Sequence, residues 1–207
     1  MWGYFHMRTP RIGSKQTGYY MFFLLAIVFL IGILVGAIAQ NFSNNDDTPY
    51  LLYYVKQILS VFQAGNFISN SGYLFLSCMA LQTLLLFFSL SCIGVPVILF
   101  IPFCKGFSIG CVSAYLYTTL ELRGIAANLL IFWLPDCVAA LILLIFTRIA
   151  LDTSYSLFCS NILGKGQGGT VKSHQCLRVF LITSLGYLPC AVWAGIAAAI
   201  FAPVFLK

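Results

Sequence analysis

Not one charged residue interrupts the chain from Tyr19 to Ala39. At about 1.5 Å of helical rise per residue, such a run reaches across a hydrocarbon core roughly 30 Å thick. No water is available there to bond peptide groups, so the segment must satisfy its own backbone as a helix. Its end, Ala37-Ile38-Ala39, imitates a signal-peptidase site, but secretory apolar regions run only about 7–15 residues. We read it as an uncleaved first span. Long apolar runs recur at Tyr73 to Cys92, at Gly124 to Phe146 around Asp136, and at Leu177 to Phe205 after Arg178. With 61% hydrophobic and 8% charged residues in 207, the chain is far from the roughly 25% charged make-up of a soluble domain. The fold class expected is all-α, a polytopic integral membrane protein with about five transmembrane helices.

The charges sort the segments. Residues 1–18 are polar and basic, with Arg8, Arg11 and Lys15, and 148–176 is a basic connection containing Arg148, Lys165 and Lys172, with Arg178 just beyond it. The net charge of +6 forms no stripe with interleaved aromatics, so it points to membrane topology and away from nucleic acid. The positive-inside rule places both segments in the cytoplasm, with the C-terminus outside after a fifth crossing. Gly164 to Gly169 lacks the strand and the G-K-[ST] ending of a phosphate loop and reads as a flexible linker.

Residues 40–72 form the extracytoplasmic segment. Within it Thr48 and Pro49 make a helix start. Leu51, Tyr54, Val55, Ile58 and Phe62 then recur at helical spacing, opposite Lys56, Gln57 and Ser60. This is a short amphipathic helix that rests on the membrane, on a partner or on the protein's own spans. Tyr50, Tyr53 and Tyr54 are aromatic anchors of the kind enriched at binding surfaces.

Residues 73–147 form a three-span core, and its middle is irregular. Gly94, Pro96, Pro102, Gly106 and Gly110 interrupt the apolar run after Cys92. The expectation is a broken or re-entrant stretch up to Pro102, then a third span from Phe103 to Leu120. Lys105 would lie near an interface and snorkel, or, in a discontinuous helix, near the midplane. After a turn at Glu121 to Arg123 comes Asp136, a carboxylate beside Pro135 inside an apolar span. A charge at that depth faces the protein interior and takes a partner. Pro135 also leaves the Ile131 carbonyl without its helical donor, so a kink and a polar pocket are expected. The two readings of Asp136 are a structural hydrogen-bonding role and a proton or ion step.

Spacings of small residues, Gly32-x-x-x-Gly36, Gly106-x-x-x-Gly110 and Ala191, Gly195, Ala199, let helix backbones approach closely in lipid. They fit a compact bundle or a homo-oligomer. The eight cysteines include no C-x-x-C pair and read as packing groups, with no metal site. No H-E-x-x-H motif occurs, and no span holds a histidine to serve as base. The chain reads as no enzyme, with no cofactor.

Together these segments resemble the stage II sporulation protein M family. Phe29 to Gly36 is similar to that family's glycine-spaced first helix. Gly94-Val95-Pro96, leading into Phe103-Cys104-Lys105-Gly106-Phe107-Ser108-Ile109-Gly110, resembles its G-x-P segment followed by a K-G-F-x-x-G helix start. Leu134-Pro135 fits its L-P step, although Asp136 departs from the His or Gln that often follows. The resemblance implies a non-enzymatic membrane scaffold that localises two extracytoplasmic peptidoglycan-cleaving partners, stage II sporulation proteins D and P, during forespore engulfment. Relatives outside sporulation sometimes occur beside transport ATPases, so the alternative is a permease-like subunit working with a separate ATPase.

Overall fold

The computed structural model describes residues 14–43, 49–63, 66–91, 94–161 and 169–205, and within them the regular structure is helical. In chain order the elements are α1 (Ser14–Ser43), α2 (Pro49–Gln63), α3 (Phe67–Ser89), α4 (Val95–Ala127), a π-helical segment (Asn128–Trp133), α5 (Leu134–Asn161) and α6 (Gly169–Phe205). Four stretches are long and apolar enough to cross a membrane: Tyr20–Phe42, Phe67–Ser89, Val95–Phe158 and His174–Pro203. This is a polytopic membrane protein.

The third stretch, 64 residues long, would reach about 96 Å if straight, some three bilayer cores. It folds back on itself instead. Glu121 has φ 49° and ψ −125° inside the helical run, a left-handed backbone that a side chain adopts only at a cost of about 1–3 kcal/mol. Two contacts prove the reversal: Lys105 Nζ lies 2.7 Å from Asp136 Oδ1, and Asn128 Nδ2 lies 3.1 Å from Ser113 Oγ. In a straight helix those pairs would be roughly 46 and 22 Å apart. The stretch is therefore two antiparallel legs, and the described residues form five legs in all.

The expected break before the third span is absent. α4 runs without interruption through Pro96, Pro102, Lys105 and Gly106. Pro96 sits in the first helical turn, where its missing N–H has no partner to lose. Pro102 removes only one ladder bond, to the Ile98 carbonyl, and buried packing of Ile98, Ile101 and Pro102 holds the axis. The corner lies earlier, in the α3–α4 hairpin. There a Cβ on Gly94 would strike the Phe88 carbonyl oxygen, and Gly94 N–H bonds to Ser91 O at 3.3 Å.

The connection expected from 148 to 176 is also shorter, because α5 continues to Asn161 and α6 begins at Gly169. Most of the Gly164 to Gly169 linker, like Thr48 and residues 1–13, lies outside the described residues.

Three buried clusters stack along the bundle. Val55, Ile58, Leu59 and Phe62 of α2 join Leu116, Ile131, Phe132, Ala198 and Ala202 at the Glu121 end. Leu74, Cys78, Ala139, Tyr187 and Cys190 pack α3, α5 and α6. Leu25, Leu85, Ile98, Phe146 and Leu151 fill the other end. α1 pairs most extensively with α4. At that crossing, a Cβ on Gly32 or Gly36 would strike the carbonyl oxygens of Phe103 or Phe107, and one on Gly106 or Gly110 those of Phe29 or Ile33. The two glycine pairs thus face each other, and backbone meets backbone. Polar side chains add cross-links: Gln82 Nε2 donates to Phe180 O at 3.0 Å, and Ser154 Oγ to Ser91 O at 2.8 Å.

Candidate functional site

Lys105 lies on α4 ten residues from Val95 and sixteen from Glu121, hence about 15 and 24 Å from the two ends of its leg. Asp136 reaches it from the returning leg. Their 2.7 Å contact is a hydrogen-bonded ion pair whose side chains are only 11% and 15% exposed. Lys105 is therefore not a snorkelling residue at an interface. A long lysine stem reaches water only where a path is open, and here a carboxylate at hydrogen-bond distance holds the ammonium inside. Asp136 has the interior partner that its depth demands.

The π-helical segment Asn128–Trp133 precedes Leu134-Pro135 directly. Proline at 135 cannot donate to Ile131, and the widened register accommodates that loss on a buried face that includes Asn128, Ile131 and Phe132. π segments of this kind concentrate at functional sites. Asn128 turns inward and donates to Ser113 Oγ at 3.1 Å and to Tyr117 Oη at 2.7 Å. It ties the two legs together between the ion pair and the Glu121 reversal.

A cavity of about 50 Å³ adjoins the pair, lined by residues of α2, α3, α4 and the segment leading into α5. Its polar wall includes Ser77, Ser108, Ser113 and Asn128 besides Lys105 and Asp136. From α2, the Tyr54 hydroxyl shares a 3.0 Å hydrogen bond with Ser108, one turn from Lys105. Ser108 and Asn128 escape a reading that looks only for charges. Their signal is spacing, since Ser108 lies three residues from Lys105 on one helical face and Asn128 is a second polar residue within the Asp136 span.

The three tyrosines of α2 divide. Tyr50 and Tyr53 are 86% and 70% exposed, while Tyr54 spends its hydroxyl inward. Val55, Ile58, Leu59 and Phe62 hold the opposite face against the bundle, and Phe62 packs 4.6 Å from Phe132 between ring centroids. So α2 rests on the protein's own spans. Pro96 and Gly94 serve the hairpin corner, and Gly32, Gly36, Gly106 and Gly110 the α1–α4 crossing. Cys78, Cys111, Cys176 and Cys190 are buried free thiols. Among the described residues, no three His, Cys, Asp or Glu side chains group as metal ligands.

The arrangement can hold a charge pair and polar groups at membrane depth. Compared with known proteins, the family model described as Stage II sporulation protein M matches residues 25–203. No curated protein and no solved structure matches the chain.

Proposed function

The chain belongs to the stage II sporulation protein M family, and on that premise we propose that it is a non-enzymatic membrane scaffold that recruits extracytoplasmic peptidoglycan-degrading partners during engulfment. These partners are enzymes like stage II sporulation proteins D and P. The observation that carries this reading is the two-faced build of α2. One face is anchored in the bundle by Val55, Ile58 and Phe62, and the other presents Tyr50 and Tyr53 outward. Large, rigid aromatic side chains are the usual anchors of protein interfaces. A helix held from behind presents them with little ordering entropy to lose on binding. In this reading the N-terminus is cytoplasmic, and α2 and the Glu121 reversal lie on the outer side. The charge excess of residues 1–18 and 148–178 supports that orientation.

A second reading, a permease-like subunit driven by a separate ATPase, draws on the Lys105–Asp136 pair beside its cavity, since ionisable residues within spans often mark transport paths. Affinity purification from the native membrane, followed by mass spectrometry, separates the two. The scaffold reading expects a cell-wall hydrolase, and Tyr50→Ser with Tyr53→Ser should reduce its capture at least tenfold with membrane insertion intact. Recovery of an ATPase without any wall hydrolase would overturn the scaffold and leave the permease.

A further inference from the structure

We infer that the cavity beneath α2 is a hydrated site that gives the Lys105–Asp136 pair contact with water from the α2 end of the bundle, with Tyr54 as its lid. Three observations carry this. The first is bonding capacity. A lysine ammonium has three donors and a carboxylate has two oxygens with about four acceptor positions, whereas the bond between them uses one N–H and Oδ1. Buried charges are tolerated only when their remaining hydrogen-bonding capacity is also met.

The second is the space. The cavity of about 50 Å³ lies against both charged groups. A water needs roughly 10–15 Å³ of such volume and two to four polar partners, so about three waters fit. Ser77, Ser108 and Asn128 in the wall supply partners beyond the charges, and waters bridging them would complete the shells of Lys105 and Asp136.

The third is asymmetry. Toward the Val95 end, Ile101 and Ile98 sit one and two turns from Lys105 on α4 and are 3% and 0% exposed. They belong to the apolar cluster with Leu25, Leu85 and Phe146. Toward α2, the wall includes Tyr54, which is 44% exposed and whose hydroxyl bonds Ser108. Tyr54 thus meets both the outside and the polar wall.

The test is hydroxyl-radical labelling generated from water in situ, on the full chain in lipid nanodiscs, with each site read by mass spectrometry. Phe132 and Phe146 are matched reporters. Both are buried phenylalanines, at 6% and 0% exposure, but only Phe132 lines the cavity. Phe132 should be oxidised at least tenfold faster than Phe146. Equal, low labelling of the two would mean a dry cavity and would overturn the proposal. Tyr54→Ala should raise Phe132 labelling several-fold further with Phe146 unchanged, and no rise would refute the role of Tyr54 as lid. If Tyr54→Ala raises Phe146 as well, the bundle has loosened. Tyr54→Phe then decides the matter, since it keeps the ring but loses the Ser108 bond: a rise at Phe132 alone supports the lid, and none refutes it.

Discussion

Replacing Lys105 with Met removes the ammonium but keeps a long, flexible apolar stem, so it isolates the charge at the centre of the bundle. At 2.7 Å the pair attracts by about 6 kcal/mol at an effective dielectric near 20, against about 1.5 kcal/mol in bulk water. Desolvation takes back much of that. What remains visible on breaking a buried pair is chiefly the penalty of the uncompensated partner, about 3–5 kcal/mol. With side chains 11% and 15% exposed, the Lys105→Met variant belongs in the lower half of that range, because the cavity offers Asp136 some relief. The double variant, Lys105→Met with Asp136→Leu, leaves no charge behind and should recover at least 2 kcal/mol, since buried pairs are commonly replaceable by apolar groups. The assay is reversible unfolding in mixed detergent micelles, run as a double-mutant cycle with both single variants. A loss under about 1 kcal/mol for Lys105→Met, the range of an exposed pair, would refute the reasoning. So would additivity of the two single changes, because contacting residues should couple.

The α1–α4 crossing offers a second check. Gly110→Val should cost about 1–3 kcal/mol by overpacking, because its Cβ would strike the Ile33 carbonyl. Gly72→Ala, with nothing within 4 Å of the added carbon, should be neutral or stabilise α3 by up to about 1 kcal/mol; detergent unfolding of equal midpoint for the two would contradict the tight crossing. Orientation is tested in a cysteine-free background on intact cells. A cysteine at Ser60, exposed on α2, should react with an impermeant thiol reagent, and one at Gln175, exposed near the start of α6, should react only after permeabilisation. The reverse pattern would invert the topology.

The apolar spans, the amphipathic α2 and the turn near Glu121 were legible because each rests on a local rule: a run long enough to cross lipid, a helical period, a polar interruption between two such runs. Asp136 was legible as a group needing an interior partner, since the cost of a charge at that depth does not depend on the rest of the fold. Its partner was not. Thirty-one residues separate it from Lys105, and only the reversal at Glu121 and the side-by-side packing of the two legs decide that they meet. The same holds for the path of residues 95–105. Prolines and glycines read locally as breakers, yet a single missing amide is tolerable where buried neighbours hold the axis, so α4 continues and Gly106 and Gly110 become contact points for α1. Local chemistry thus determined that this chain must cross a membrane repeatedly and hide its charges. Tertiary packing, which chooses among long-range contacts that no local pattern encodes, decided that Lys105 and Asp136 hide together, beside a polar cavity under α2.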